Sequence, residues 1–288
     1  MLIPIFPRHY PPGKGNGFFQ REVLAEVQAS PVSYNIYPKW KIIQEKVVRL
    51  MSASEKFVRN SAGLTFQLRT SRRRKSVGLT VTDTGELLVH APKSLSIKTI
   101  QGVIDKNLAW IERKQAERRE AWARLEPGKV YYRGQALTVE LTNSGPPGVR
   151  LARGALQMSL KTASLDPWPD LLGWYRQEAE VLLTARVQHY APRMGLTPPP
   201  LTLCNWRRRW GECHLDGHLR FNWRLVLLPP EILDYLVVHE LAHLIVPGHP
   251  PRFWQAVGKY LADYAPRRRW LRVYGAPFLL WKFESGER

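Results

Sequence analysis

Apolar and polar positions follow no regular pattern over the first 60 residues of the chain, where prolines interrupt any long element. Beyond them, Val77, Leu79 and Val81 alternate with small or polar residues, and the turn DTGE leads into a second alternating run, LLVHAP. This pattern predicts a β-hairpin over residues 76 to 91.

A stripe of apolar residues at helical spacing follows the hairpin and predicts one helix, which Ser94 or Ser96 can cap. Its continuation, ERKQAERREAW, is strongly charged and predicts an exposed tail of the same helix. YYRGQALTVEL and ALQMSL then predict strands on either side of a Gly- and Pro-rich turn. The members of the stripe are Ile97, Ile100, Ile104, Leu108 and Ile111.

Helical patterns dominate the second half of the chain. Apolar residues at helical spacing predict a helix over residues 170 to 190. Residues 201 to 228 predict two strands joined at Asp216-Gly217, because an Asp-Gly pair favours a tight hairpin turn. A proline pair then suits the start of a helix over residues 231 to 246.

Together these elements predict an α+β fold with a β-rich N-terminal part and a helical C-terminal part. We divide the chain into a poorly patterned extension at 1–60, a β-rich subdomain with one helix at 61–165, and a catalytic subdomain at 166–288. The segment SLDPWPD, at 164–170, is interpreted as the connector between the two subdomains.

The chain is strongly basic, with 43 Lys and Arg against 24 Asp and Glu and a formal net charge of +19. Such a charge favours anionic partners, including nucleic acid, nucleotides and acidic polymers. A merely solvated basic surface explains the composition equally well, because charge alone does not identify a ligand.

The chain has only two cysteines, Cys204 and Cys213, and therefore no disulfide framework, so we expect a reducing, cytoplasmic location. With His214 and His218 they match no common zinc spacing, and strand alternation would scatter them over both faces of a sheet. We interpret them as small buried cysteines and exposed hairpin histidines, and not as a second metal site. No apolar run approaches the roughly 20 residues that span a bilayer, so no membrane partner is expected.

The stretch VVHELAHLIVPGHPPRFW places three histidines and a glutamate in an apolar helical pattern. His239 and His243 lie four residues apart and therefore on one helix face, while Glu240 can reach a metal-bound water without binding the metal. A catalytic zinc site needs a third protein ligand, and His249 is the candidate. Pro247-Gly248 ends the helix and lets the chain turn back. The alternative is a buried polar network without a metal.

In the segment NWRRRW, at 205–210, arginines are interleaved with tryptophans, which can stack on bases while guanidinium groups hold phosphates. The alternative, which we favour, is that these residues alternate in and out of a sheet with the tryptophans in the core. Arg209 and Trp210, with Asn222 on the following strand, are the predicted substrate-binding residues.

Several motifs resemble, in order, those of the YgjP-like metallopeptidase family, which is grouped with the SprT-like and Wss1-like zincins. The resemblance covers roughly residues 62 to 270. RRRKSVGLTVTDTGELLVHAP and the helix ending AWIERK look like the opening hairpin and helix of that family, RWGEC is similar to its Trp-Gly-Ser-Cys motif, and RFNWRLVLLP resembles the strand with its Asn. LDYLVVHELAHL, then His249 and Phe253-Trp254, resembles its active-site helix. Glu212 replaces the family Ser, and Gly248 replaces the Asn that often precedes the third His.

The resemblance implies a zincin-like fold with His239, His243 and His249 as zinc ligands and Glu240 as the catalytic base. We therefore predict a zinc-dependent hydrolase, nominally a metallopeptidase, in which Glu240 activates a zinc-bound water. Two alternatives remain open. One is a metal-dependent nucleotide phosphoanhydride hydrolase of the nucleoside triphosphate pyrophosphatase type, and the other is a nucleic-acid-associated binding protein or protease.

Overall fold

The computed structural model describes residues 56–59, 63–142, 146–159 and 168–281. The predicted extension at 1–60 lies outside these residues except for one short strand, β1 (Lys56–Arg59). Most of the predicted connector at 164–170 also lies outside them. In the part of the chain that the structure describes, no helix is both long and apolar enough to cross a membrane.

The N-terminal sheet has four strands in the order β1-β2-β4-β3. They are β1, β2 (Thr65–Ser71), β3 (Gly78–Val81) and β4 (Leu87–Pro92). The antiparallel pair of β3 and β4 confirms the hairpin predicted over residues 76 to 91, whereas β2 joins β4 in parallel.

The predicted single helix is two helices, α1 (Ile97–Lys106) and α2 (Leu108–Ala123). Ser96 caps α1, since its hydroxyl accepts a hydrogen bond of 3.2 Å from the backbone N–H of Thr99. Asn107 interrupts the helix with φ −111° and donates its side-chain amide to the carbonyl of Val103 at 2.8 Å. This side-chain bond competes with helix continuation, which apolar spacing does not register.

A hairpin of β5 (Val130–Tyr132) and β6 (Gln135–Leu137) connects the front of the chain with the C-terminal half. Its tip residues, Arg133 and Gly134, both have positive φ, as a tight hairpin turn requires. Their N–H groups donate to the carbonyls of Val226 and Leu227 at 2.8 and 3.0 Å. A three-stranded sheet follows, in the order β7-β9-β8, formed by β7 (Val139–Thr142), β8 (Val149–Ala152) and β9 (Ala155–Ser159).

The buried residues form two clusters, and the larger one runs from Val130 to Phe278. The smaller cluster lies between the N-terminal sheet and the first helices, from Phe66 to Ile111. Buried residues of β5 to β9 belong to the larger cluster, together with those of the C-terminal half. The division at residues 165 and 166 stays a prediction.

The C-terminal half opens with α3 (Trp168–Arg193), close to the helix predicted over residues 170 to 190. A three-stranded sheet in the order β10-β12-β11 follows. Its strands are β10 (Leu201–Cys204), β11 (Gly211–Cys213) and β12 (Leu219–Asn222). The hairpin at Asp216-Gly217 is confirmed, with β11 antiparallel to β12. The additional strand β10 joins β12 in parallel.

The second predicted strand ends early, because a short 3-10 helix (Trp223–Leu227) begins directly after Asn222. The side chain of Asn222 caps it by accepting a hydrogen bond of 3.1 Å from the N–H of Arg224. Three helices complete the chain: α4 (Pro230–His243), α5 (Pro251–Tyr260) and α6 (Tyr264–Leu280). The described residues thus form a mixed fold of six helices and small sheets.

Candidate metal centre

Helix α4 carries His239, Glu240 and His243 and packs against α3, α5, α6 and β11. Most of its residues are apolar and buried, so the helix is held on nearly all sides. His239 and His243 lie one turn apart on the face towards α5, with ring centroids 4.9 Å apart. The rigid helix therefore sets the spacing of two imidazoles.

His249 reaches the same place because the chain reverses after α4. The helix ends at His243, three residues earlier than predicted, and Gly248 has a φ of +69°, a conformation that a residue with a Cβ rarely adopts. The next helix then starts at Pro251. The predicted role of the Pro247-Gly248 pair, to stop the helix and return the third histidine, agrees with this path.

The three imidazoles have a geometry that fits one metal ion. Their potential ligand atoms all lie within 4.8 Å of one another, and no other such group of His, Cys, Asp or Glu occurs among the described residues. Two nitrogens bound to one tetrahedral zinc ion at about 2.0–2.1 Å are separated by about 3.3 Å. The Nε2 atoms of His239 and His249 are 3.2 Å apart.

The surroundings of the two helix histidines, His239 and His243, favour the neutral imidazole, which is the form that binds a metal. Burial, followed by the neighbouring imidazoles of His243 and His249 and the guanidinium of Arg268, lowers the pKa of His239 to about 3. Burial and the neighbouring His249 also lower the pKa of His243. Protons therefore compete weakly for these nitrogens at neutral pH.

Aromatic rings from α5 and α6 support the cluster from behind. Phe253 stacks on His243 with centroids 4.5 Å apart, and Trp254 stacks on His249 at 5.6 Å with an interplanar angle of 22°. Tyr264 also stacks on Trp254, with centroids 5.5 Å apart. The exposed His249 is thus held against a packed aromatic ring, a support that its loop alone does not provide.

Glu240 is the one buried acidic side chain among the residues that the structure describes, with 5% of its surface exposed. Burial raises the pKa of its carboxyl to about 7, opposed by a hydrogen bond from the backbone of Cys213 and reinforced by the charge of Glu212. Gly211 lies so close that a Cβ there would come within 2.6 Å of Oε1 of Glu240. Strand β11 therefore forms one wall around this carboxylate.

The predicted substrate-binding residues lie in the loop before β11 and at the end of β12. Arg209 is exposed and pairs with Glu212, its Nη1 2.6 Å from Oε2. Trp210 is half-buried, and its carbonyl accepts the backbone N–H of Asn222 at 2.8 Å. Asn222 is fully buried and donates its side-chain amide to the carbonyls of Trp206 at 2.7 Å and Arg209 at 3.0 Å. Its contacts thus hold the loop.

The expectation that residues 206 to 210 alternate within a sheet is wrong. This segment is a loop between β10 and β11, with all three arginines exposed and both tryptophans half-buried. The side-chain amide of Asn222 donates to the carbonyls of Trp206 and Arg209, so these two carbonyls bond to a side chain and not to a neighbouring strand. An interleaved Arg and Trp pattern does not distinguish these two arrangements.

The four cysteine and histidine residues around this sheet take part in local contacts. His214 Nδ1 lies 2.9 Å from a carboxylate oxygen of Asp216, and His218 Nε2 lies 2.9 Å from the hydroxyl of Thr202. Both cysteines are half-buried free thiols, and burial raises the pKa of each. Among the described residues, none of the four belongs to a group that could hold a metal. All four are half-buried, so the expectation of buried cysteines and exposed histidines is wrong in that detail.

Sequence reasoning missed two neighbours of the centre. The backbone of Cys213 binds Glu240, although its sequence position is remote from the HELAH motif. Arg268 lies within a run of three arginines at residues 267 to 269, and its guanidinium lies over the Trp254 ring at 4.1 Å. Neither contact can be predicted from the neighbouring sequence, since each joins residues on different secondary-structure elements.

Comparison with known families gives one match. A family model described as YgjP-like, metallopeptidase domain matches residues 75–274, well over half of the chain. The matched region begins just before β3, ends within α6 and contains the whole histidine cluster with Glu240. No curated protein and no solved structure matched the chain.

Proposed function

The chain belongs to the YgjP-like metallopeptidase family, and from that premise we propose that it is a zinc-dependent peptidase with a zincin-like arrangement around α4. The observation that carries the proposal is the convergence of His239, His243 and His249 within 4.8 Å beside a buried carboxylate on the residue after the first histidine. Helix geometry places that carboxylate next to the ligands but not among them.

Zinc is the ion that best suits three neutral imidazoles in a tetrahedral arrangement with one open position. Bound there, it would supply Lewis acidity, which lowers the pKa of a water and polarises a scissile carbonyl. His239 and His243 would hold it from the helix and His249 from the loop. The 3.2 Å between the Nε2 atoms of His239 and His249 supports this assignment.

Glu240 is proposed as the general base. In the metal-free protein, burial raises the pKa of its carboxyl to about 7, and a carboxyl in this range suits general acid–base catalysis. It would take the proton of the attacking water and deliver it to the leaving amine. The hydrogen bond from the backbone of Cys213 would hold the carboxylate in place between these two steps.

Strand β11 is proposed as the platform for an extended peptide. It is an edge strand of its sheet. The N–H of Asn222 bonds to the carbonyl of Trp210, and the N–H of His214 bonds to the carbonyl of His218, so residues 210 and 214 face β12. The backbone groups of Gly211 and Cys213 therefore face away from β12, on the side of Glu240. A peptide alongside this edge would pass the carboxylate.

Arg209, Trp210 and Asn222 remain proposed contributors to substrate binding. Arg209 and Trp210 flank the start of β11 and can contact a peptide lying along it. Asn222, being fully buried, would act by holding the loop in position.

Hydrolysis of a nucleotide phosphoanhydride by the same centre is the second candidate. The exposed guanidinium groups of residues 207 to 209, immediately before β11, favour it, because arginine binds phosphate well. Chelator-sensitive phosphate or pyrophosphate release from a nucleoside triphosphate panel, without casein cleavage, would decide for it. Nucleic-acid binding stays a prediction from the net charge, and its test is affinity that falls steeply with salt.

Elemental analysis of purified protein, combined with casein cleavage by wild-type protein and two variants, tests the peptidase proposal. We expect the wild-type protein to contain zinc and to lose activity with a chelator. Glu240→Gln should keep the metal and lose activity, whereas His243→Ala should lose both. Wild-type turnover by the Glu240→Gln variant would refute the mechanism.

A further inference from the structure

We propose that Arg268 forms an anion-binding subsite of the metal centre and selects peptides with a carboxylate within about three residues of the cleaved bond. This inference rests on the proposed peptidase function and adds the charge of its substrate. It assigns a role to a residue that the sequence places in an ordinary basic cluster on α6.

The subsite is built by stacking. The guanidinium carbon of Arg268 lies 4.1 Å from the ring centroid of Trp254, whose ring stacks in turn on His249 at 5.6 Å. Arg268 is therefore at most about 10 Å from the third ligand, the length of about three extended residues. A substrate whose scissile carbonyl lies at the histidine cluster, and whose chain runs towards Trp254, would come within reach of this cation.

Arg268 is exposed and makes no ion pair or hydrogen bond with any residue that the structure describes. Its neighbour Arg267 differs, because it pairs with Asp263 at 2.9 Å and donates to the carbonyl of Glu231 at 2.9 Å. Stacking on an indole occupies the flat face of a guanidinium and leaves its N–H groups at the edge free. These free N–H groups lie side by side in one plane and can donate two parallel hydrogen bonds to a carboxylate.

Cleavage-site mapping tests the subsite. Casein is digested with zinc-loaded wild-type protein, Arg268→Gln and Arg269→Gln, and the new termini are identified by mass spectrometry. A synthetic peptide spanning the preferred site is then made with its Asp or Glu, and again with Asn or Gln in its place. Arg269→Gln is the matched control, because Arg269 is an exposed arginine on the same helix with the same charge change.

We expect wild-type protein and Arg269→Gln to prefer one acidic position within about three residues of the cleaved bond. Arg268→Gln should lower the ratio of kcat/KM for the acidic peptide to that for the amide peptide by about tenfold to a hundredfold. Arg268→Lys should give a ratio between the two, since it keeps the charge and loses the planar fork.

The zinc-loaded Glu240→Gln variant provides a readout independent of turnover, because it should bind the acidic peptide more tightly than the amide peptide. Equal ratios for the Arg268→Gln and Arg269→Gln variants, with cleavage retained in both, would overturn the subsite and leave the peptidase proposal intact. If wild-type protein cleaves no peptide, both fail together.

Discussion

Gly211 and Glu240 are in contact across the interface of β11 and α4, and only a hydrogen fits at the α-carbon of Gly211 on that side. A Cβ there would lie 2.6 Å from Oε1, 2.9 Å from Cγ and 3.0 Å from Cδ of the glutamate. Because α4 packs on three other helices and stays in place, a Cβ at Gly211 would displace the carboxylate of Glu240 and not the helix that also holds the histidines. The glycine of RWGEC thus sets the position of the proposed base.

Gly211→Ala should therefore remove activity while sparing the metal. We expect kcat/KM on a cleaved peptide to fall by about a hundredfold, because a displacement of about 1 Å in a catalytic group has that effect. Zinc content should stay at the wild-type level. Gly102→Ala is the control, since a Cβ at this helical glycine meets nothing within 4 Å. Equal kinetics for the two variants would contradict the assigned contact.

The free energy of unfolding of metal-free protein should depend on pH through Glu240. Its pKa is about 7 in the folded protein against an ordinary value of 4.5. Between these values the unfolded chain has released a proton that the folded protein still holds, so stability falls as pH rises through this window. The Glu240→Gln variant has no carboxyl at this position, so its free energy of unfolding should not fall for this reason.

The stability advantage of Glu240→Gln over wild-type protein should therefore grow by about 3 kcal/mol between roughly pH 4.5 and pH 7.5. Urea denaturation in the presence of a chelator measures it at both pH values. Parallel stability curves for the two proteins would show that Glu240 is not held in a desolvated site.

Trp254→Ala should weaken zinc binding without removing a ligand. The indole stacks on His249 at 5.6 Å, and this loop histidine is the exposed member of the three. Without the ring, His249 must lose side-chain freedom when the metal binds. Groups that orient ligands typically contribute about tenfold to a hundredfold in metal affinity, and we expect a loss of that size in chelator competition. Trp254→Phe, which keeps an aromatic face, should retain most of the affinity.

Asn222→Ala should destabilise the loop before β11. The substitution leaves the carbonyls of Trp206 and Arg209 without their donor, and burial makes that costly. We expect the free energy of unfolding to fall by about 3 kcal/mol. Asn107→Ala, at an exposed asparagine with one bond to Val103, is the control and should lose less than about 1 kcal/mol. Similar losses in both would contradict the anchoring role.

The convergence of the histidines on α4 and the turn that follows it could be predicted from local geometry. A spacing of four residues brings His239 and His243 together on any α-helix, and Pro247-Gly248 cannot continue one. The β3–β4 hairpin was likewise predictable, because alternation and a turn lie within one short segment. In each case the interacting residues are close in sequence, and the backbone alone relates them.

The features of the site that the sequence did not predict depend on contacts between distant segments of the chain. Nothing in the alternation of residues 206 to 210 shows that Asn222 binds that segment as a loop, and nothing near Glu240 in sequence identifies Gly211 as its neighbour. The position of Arg268 over Trp254 likewise depends on how α5 and α6 pack. Periodicity reports which side of an element is apolar, whereas the tertiary packing decides which other element covers that side and which polar groups meet there.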